Sequence, residues 1–227
     1  MGYTRSEILA SCNAAFREIS TFYKQPFVNY RGRTNDTKEL YTEVVAEFLC
    51  DHIDEFTNGI PTITREDTYN IKSHDKVIQN SKSNRIEEKI AKEMYQKQYA
   101  FVGKMIDYQT PLKNERSDTA GKIDLLAYDG NVLRILELKK PDSEETMLRC
   151  VLEGYTYLRT VDRTKLLKNF KLPDNTPVRA CPFVFSGGVQ YEEFHESRPY
   201  LSRLMALLDS KPYFISEANG KYEVTED

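Results

Sequence analysis

The sequence lacks the cysteine pattern of a zinc site or of a disulfide framework. Its cysteines are few and scattered, and none of them forms a CxxC pair. They are Cys12, Cys50, Cys150 and Cys181. This usage indicates a reducing compartment, and a chain of 227 residues is long enough to bury a hydrophobic core without cross-links.

Long hydrophobic runs are also missing. No apolar stretch approaches the ~20 residues that a bilayer-spanning helix needs. The first residues, MGYTRSEILASCNAAF, carry polar side chains where a signal peptide has an unbroken apolar core. We therefore expect a soluble, cytoplasmic protein that has no membrane partner.

An overall excess of basic residues is absent as well. The chain has 32 Lys and Arg against 35 Asp and Glu, which gives a net charge of −3. This balance is not typical of a dedicated nucleic-acid-binding protein. Two segments, 72–104 and 163–179, are locally basic. Each is either a surface that follows phosphates or a solvated helix face.

The first part of the chain is predicted to be helical. Apolar residues at helical spacing predict amphipathic helices within residues 3–24 and 36–56, and Asn35 or Asp36 is expected to cap the second. A polar, irregular stretch follows at 57–84. We place a domain boundary there, with an N-terminal helical region and linker at 1–80 and a second domain at 81–227.

The second part alternates helices and strands. We expect a helix capped by Asn84, a strand at 104–112, a hairpin at 121–141 and a helix started by Ser143. A strand at 178–185, a helix near 199–209 and a last hairpin turned at Asn219–Gly220 follow. This order predicts an α/β fold with a central mixed β-sheet flanked by helices.

The hairpin GKIDLLAYDGNVLRILELKKP, at 121–141, is mostly apolar but carries an Asp near its start and a Glu-Leu-Lys-Lys at its end. Asp129–Gly130 predicts a tight type I′ turn, which puts Asp124 across from Ile135 and diagonal to Glu137. Side chains two apart on a strand share a face, so Lys139 points to the same side. Both faces of the hairpin are mostly apolar, as in a strand pair that helices cover on both sides.

A carboxylate buried without a partner costs several kcal/mol or takes up a proton. Asp124 and Glu137 therefore need Lys139, a divalent metal ion, or both. The alternative is that the hairpin leaves the core at this end, so that Glu137, Lys139 and Lys140 are solvated and Asp124 pairs with Lys139.

With Asp124 in GKIDLLA and Glu137-Leu138-Lys139 in LELKKP, the sequence resembles the PD-(D/E)xK superfamily of restriction-endonuclease-like nucleases. The resemblance covers residues 84–185, and Ile123 stands where the motif's name has proline. It implies a restriction-endonuclease-like core within 81–227. It also implies Mg²⁺ or Mn²⁺ held by Asp124, Glu137 and the backbone carbonyl of Leu138, with Lys139 orienting the attacking water or stabilising the transition state.

The resemblance implies further site residues on the neighbouring helices. Glu87 is expected to reach the metal directly or through water, with Glu88 as the competing candidate, and a solvated glutamate is the alternative for both. Glu153 and Tyr157 occupy the places of a Gln-x-x-x-Tyr pattern found in DNA-processing relatives. An Arg149–Glu153 surface pair explains this glutamate equally well.

The implied activity is that of a metal-dependent endonuclease acting on DNA, and the sequence leaves RNA open as another substrate. The alternative is a catalytically silent nuclease-like module that binds nucleic acid or a protein partner. Cutting both strands with one site per chain generally requires two sites, so a homodimer is expected.

Overall fold

A seven-stranded mixed sheet forms the centre of the structure, a computed structural model that describes residues 2–71, 74, 85–112 and 121–226. The strands lie side by side in their order along the chain. Pairing is antiparallel from β1 to β4, parallel from β4 to β6, and antiparallel between β6 and β7. The strands are β1 (Gln98–Tyr99), β2 (Gly103–Pro111), β3 (Lys122–Tyr128), β4 (Leu133–Leu138), β5 (Val178–Phe185), β6 (Tyr213–Ala218) and β7 (Lys221–Thr225).

Helices cover both faces of this sheet, as the sequence predicts. They are α1 (Arg5–Ala15), α2 (Tyr41–Asp51), α3 (Ile53–Gly59), α4 (Ile86–Met94), α5 (Met147–Thr160), α6 (Arg163–Asn169), α7 (Val189–His195) and α8 (Pro199–Leu207), with 3-10 helical segments at Phe16–Lys24 and Pro26–Asn29. One hydrophobic cluster joins α4 to one face of β3 and β4. A larger cluster joins α1, α2, α5 and α8 to the other face. None of the helices in the described ranges has the length and apolarity that crossing a bilayer requires.

The N-terminal helices pack directly against α5. The ring of Phe56 stacks on that of Tyr155 with centroids 6.0 Å apart, and Tyr23 meets Tyr157 edge-on, also at 6.0 Å. Residues from 1–80 and from 81–227 therefore share one hydrophobic cluster. This packing brings the N-terminal region beside the helix that lines the candidate site.

The predicted start of the second helix is wrong. This helix, α2, begins at Tyr41, with Leu40 at the capping position. The side chain of Asp36 instead accepts a hydrogen bond from the backbone N–H of Arg5, at 2.9 Å. Asp36 thus satisfies a donor in the first turn of α1, a tertiary contact that local capping signals do not reveal.

Two other helix boundaries also differ from expectation. Helix α5 begins at Met147, because the Thr146 hydroxyl takes the capping bond from the backbone N–H of Arg149 at 3.1 Å. Ser143 therefore does not start the helix. The first predicted helix is α-helical only to Ala15 and continues as a 3-10 segment. The predicted cap Asn84 lies outside the described residues, and α4 starts at Ile86.

The last hairpin forms as predicted, whereas the turn between β3 and β4 is longer than predicted. Asn219 and Gly220 both have positive φ, 53° and 70°, as a type I′ turn requires. In the earlier hairpin, Leu126 rather than Asp124 lies opposite Ile135, a shift of two residues.

The side chain of Asp129 explains this shift. Its Oδ1 accepts hydrogen bonds from the backbone N–H groups of Asn131 and Val132, both at 2.8 Å, and so builds a turn over residues 129–132. A shift of two residues leaves every side chain on its predicted face.

Two glycines at positive φ provide a matched test of this hairpin region. Gly103 has φ 90°, and a Cβ there would lie 2.4 Å from the Tyr128 carbonyl oxygen. Gly130 has φ 99° and no atom within 4 Å of such a Cβ. We expect G130A to lower the free energy of unfolding by about 1–2 kcal/mol, the backbone cost alone, and G103A to lower it clearly further.

Urea denaturation of both variants measures this difference. Equal losses for G103A and G130A would contradict the close backbone approach at Gly103.

Candidate functional site

The β3–β4 hairpin brings Asp124 and Glu137 side by side. Leu125 lies opposite Leu136, and the next step of this register puts Asp124 directly across from Glu137. Asp124 and Glu137 are therefore directly opposite each other, and closer together than the predicted diagonal pair. The backbone N–H of Leu138 donates to Asp124 Oδ2 at 3.1 Å, which ties the end of one strand to the other.

Lys139 follows β4 and is surrounded by carboxylates. Its Nζ lies 2.9 Å from Glu137 Oε1, 2.8 Å from Glu145 Oε2 and 3.0 Å from Glu153 Oε2. The Lys139 side chain is only 6% exposed. The alternative of a solvated Lys139 at the end of the hairpin is therefore wrong. Burial opposes the charge, but Glu137 and the other carboxylates prevail and raise the Lys139 pKa well above its ordinary value.

Gln109 of β2 orients the second oxygen of Asp124. Its side-chain N–H donates to Asp124 Oδ1 at 2.9 Å. Gln109 has a positive φ of 48°, an uncommon conformation for a residue other than glycine. It closely follows a register irregularity in β2, between Met105 and Asp107. This residue was not predicted, because no periodic pattern in the sequence marks such an irregularity.

Burial and neighbouring carboxylates raise the pKa values of Asp124 and Glu137. Burial is the main cause that raises the Asp124 pKa to about 7; the charges of Glu87 and Glu153 add to it, and Lys139 opposes it. Burial, together with the charges of Glu153 and Asp124, raises the Glu137 pKa well above its ordinary value, again against the effect of Lys139.

One oxygen of Glu137 is left without a partner. The Glu137 side chain is 4% exposed, and its Oε2 is buried with no hydrogen bond from the described residues. A buried unpaired carboxylate oxygen is costly. It marks the position where a cation is expected.

Glu153 and Tyr157 of α5, the residues at the places of the Gln-x-x-x-Tyr pattern, also line the site. The Tyr157 hydroxyl donates to Glu153 Oε1 at 2.9 Å. Burial opposes ionisation of Glu153, but Lys139 and this hydrogen bond lower its pKa. The alternative Arg149–Glu153 surface pair is not the contact formed, since Arg149 Nε pairs with Glu145 at 3.1 Å.

Of the two candidates on α4, Glu87 is the one at the site. Its Oε1 accepts from the backbone N–H of Lys140 at 3.2 Å. Glu88 pairs with Lys92 at 2.6 Å and with Arg85 at 3.4 Å, and Lys92 lowers the Glu88 pKa. Glu88 therefore serves a surface ion pair.

Glu145 is the second residue that sequence reasoning missed. With Ser143 as the predicted start of this helix, Glu145 falls in the first turn of the prediction. Because the helix starts later, Glu145 lies in the loop before it and reaches Lys139. The signal for it was indirect: a buried lysine attracts carboxylates, whichever segment supplies them.

Basic side chains of the segment 163–179 form hydrogen bonds to other parts of the protein. Arg163 donates to the Thr176 carbonyl at 2.7 Å, and Lys165 donates to the backbone carbonyls of Arg65 and Glu66. These contacts favour a structural use of the segment. The other basic segment, 72–104, lies partly outside the described residues.

The candidate site lies in an open cleft of about 430 Å³. The residues lining it include Asn29, Glu87, Lys122, Asp124, Glu137, Lys139, Lys140, Glu144, Glu145, Arg149, Glu153 and Tyr157. Asp124 and Glu137 offer the hard oxygen ligands that Mg²⁺ and Mn²⁺ take, and the unpaired Oε2 of Glu137 fits such an ion. Within the described ranges, no three His, Cys, Asp or Glu side chains already enclose a common metal position.

Comparisons of the chain with protein-family models, with curated proteins and with solved structures found no match.

Replacing Asp124 by Asn removes a carboxyl whose pKa is raised by folding. The folded chain keeps this proton up to about pH 7, whereas the unfolded chain releases it near the ordinary value of 3.8. The wild type therefore loses stability as the pH rises between these values. Without metal, we expect D124N to be more stable than the wild type above pH 7, with the difference vanishing below pH 3.8.

Urea denaturation in EDTA across this pH range measures the effect. E144Q, which removes an exposed carboxylate, should follow the wild type at every pH. If D124N and the wild type are equally stable above pH 7, the raised Asp124 pKa is contradicted.

Proposed function

We propose that this protein is a metal-dependent nuclease that hydrolyses phosphodiester bonds of DNA, on a restriction-endonuclease-like core within 81–227. The observation that carries the proposal is the convergence of Asp124, Glu137 and Lys139 on one cleft, where Glu137 Oε2 is buried and takes no hydrogen bond from the described residues. The resemblance of Asp124 and Glu137-Leu138-Lys139 to the PD-(D/E)xK motif supports the proposal.

Asp124 and Glu137 are the residues that would hold Mg²⁺ or Mn²⁺. The Leu138 carbonyl and Glu87 are the further ligands that the resemblance implies. When bound, the ion supplies an activated water and neutralises charge on the phosphate. Gln109 and the Leu138 N–H fix the orientation of the Asp124 carboxylate, so little rearrangement is needed on that side.

Lys139 contributes a positive charge next to the reacting phosphate. Its three carboxylate neighbours favour the ammonium form, and an ammonium donates hydrogen bonds but accepts no proton. We therefore assign Lys139 to stabilising charge on the phosphate or orienting water, rather than to abstracting a proton.

The alternative is a silent nuclease-like module that binds nucleic acid or a protein partner. The Lys139–Glu137 ion pair at 2.9 Å favours it, since the protein's own cation already neutralises part of the expected metal ligand set. In that case the carboxylates would serve the ion-pair network alone.

The first test is cleavage of plasmid, linear duplex, single-stranded DNA and RNA with Mg²⁺, Mn²⁺ or EDTA. We expect metal-dependent cleavage of DNA that falls at least about a hundredfold in D124N, E137Q and K139M, because each removes a metal ligand or the ammonium that stabilises the phosphate. Double-strand cuts in plasmid would accord with the predicted homodimer, and nicks with a monomer.

E144Q is the control, because Glu144 lines the same cleft but makes no ion pair in the described part of the chain. It should cut like the wild type. Equal cleavage by D124N, E137Q and the wild type would sink the assignment, and cleavage of RNA alone would redirect it to a ribonuclease.

The second test separates a nuclease from a silent module by metal binding alone. In isothermal titration with Mn²⁺, we expect E137Q to bind at least about tenfold more weakly than the wild type, because a neutral amide is a poorer ligand for a hard cation. E88Q removes the neighbouring surface carboxylate and should bind like the wild type. Identical titrations for E137Q and E88Q would favour the silent module.

A further inference from the structure

The carboxylate of Glu145 bridges two cations in the cleft. Its Oε2 lies 2.8 Å from Lys139 Nζ, and its Oε1 lies 3.1 Å from Arg149 Nε. A phosphodiester can likewise offer each of its two non-bridging oxygens to a different cation. Glu145 thus has the shape and charge of a phosphate in this position.

The other two carboxylates that contact Lys139 are held more firmly. Glu137 belongs to the central strand β4 and is 4% exposed. Glu153 is 14% exposed and is held by the Tyr157 hydroxyl. Glu145, 30% exposed, lies in the loop between β4 and α5. Of the three, its side chain leaves Lys139 with the least disturbance of buried structure.

Arg149 shows that Glu145 fits the position imperfectly. The Arg149 Nε is buried and makes no hydrogen bond with the described residues, although its ion pair with Glu145 lies within 3.1 Å. The backbone N–H of Arg149 donates to the Thr146 cap, which fixes this residue in the first turn of α5. A phosphate between Arg149 and Lys139 would give the unpaired donor an acceptor.

We propose that Lys139 and Arg149 together form a binding site for a backbone phosphate of the nucleic acid, and that the Glu145 carboxylate occupies this site until substrate displaces it. The identification of the phosphate as nucleic acid rests on the proposed function. Arg149 is then a substrate-binding residue, and Glu145 is an internal competitor that weakens binding.

Binding without cleavage tests the proposal. Fluorescence anisotropy of a fluorescein-labelled DNA duplex and of its single strand, both in EDTA, gives the affinities of the full chain. We expect E145Q to bind about tenfold more tightly than the wild type, because one competing charge near the phosphate is removed. E145A should change the affinity in the same direction. The backbone carbonyl of Glu145 keeps its bond from Gln190 in both variants.

Two comparisons exclude a general charge effect. E144Q removes an equal charge from the same cleft and should bind within about twofold of the wild type, since Glu144 contacts neither cation. R149M should bind more weakly than the wild type, and the gain from E145Q should shrink in the double variant, because the two residues act on one site.

The proposal is overturned if E145Q and E145A bind no more tightly than E144Q, or if none of these variants binds either DNA probe. Its failure is distinct from that of the nuclease assignment. If the wild type cleaves DNA but E145Q and E144Q bind it with equal affinity, the nuclease assignment holds and Glu145 is not a competitor. Tighter binding by E145Q, with no cleavage by the wild type under any metal condition, would support Glu145 as a competitor and contradict the nuclease assignment.

Discussion

The site depends on one interaction, the buried ammonium of Lys139 among the carboxylates of Glu137, Glu145 and Glu153. A lysine brought out of water is costly unless it is fully paired. These pairs tie the end of β4 to α5 and to the loop before it. The apolar hairpin supplies the rigid base, and α5 supplies two of the polar contacts through Glu153 and Tyr157.

Charge at the site is not balanced by the protein alone. The pKa of Asp124 is raised to about 7 and that of Glu137 is raised well above its ordinary value. Glu137 Oε2 also takes no hydrogen bond from the part of the chain that the structure describes. Strongly perturbed carboxyls in an open cleft are typical of functional sites, where stability is lost for the sake of chemistry. A bound divalent cation would reverse this imbalance, because it favours the ionised form of both carboxyls.

Much of this arrangement follows from sequence, for reasons that particular residues make clear. Face assignments depend only on parity, so Asp124, Glu137 and Lys139 were grouped correctly although the turn at Asp129 shifted the pairing by two residues. The predicted start of α2 failed because Asp36, its expected cap, accepts a hydrogen bond from the backbone of Arg5 in α1 instead. Gln109 and Glu145 were missed because an irregular strand and a loop carry no periodic signal. The assignment of the chemistry itself still rests on resemblance and geometry.

The most direct measurement of the central claim is the position of a bound metal ion. Crystals grown with Mn²⁺ and measured near the manganese absorption edge would locate it by anomalous scattering. The account predicts a peak within about 2.5 Å of both the Asp124 carboxylate and Glu137 Oε2, the oxygen that Lys139 does not contact. A map without a peak in the cleft, with the Lys139–Glu137 ion pair intact at saturating Mn²⁺, would contradict it.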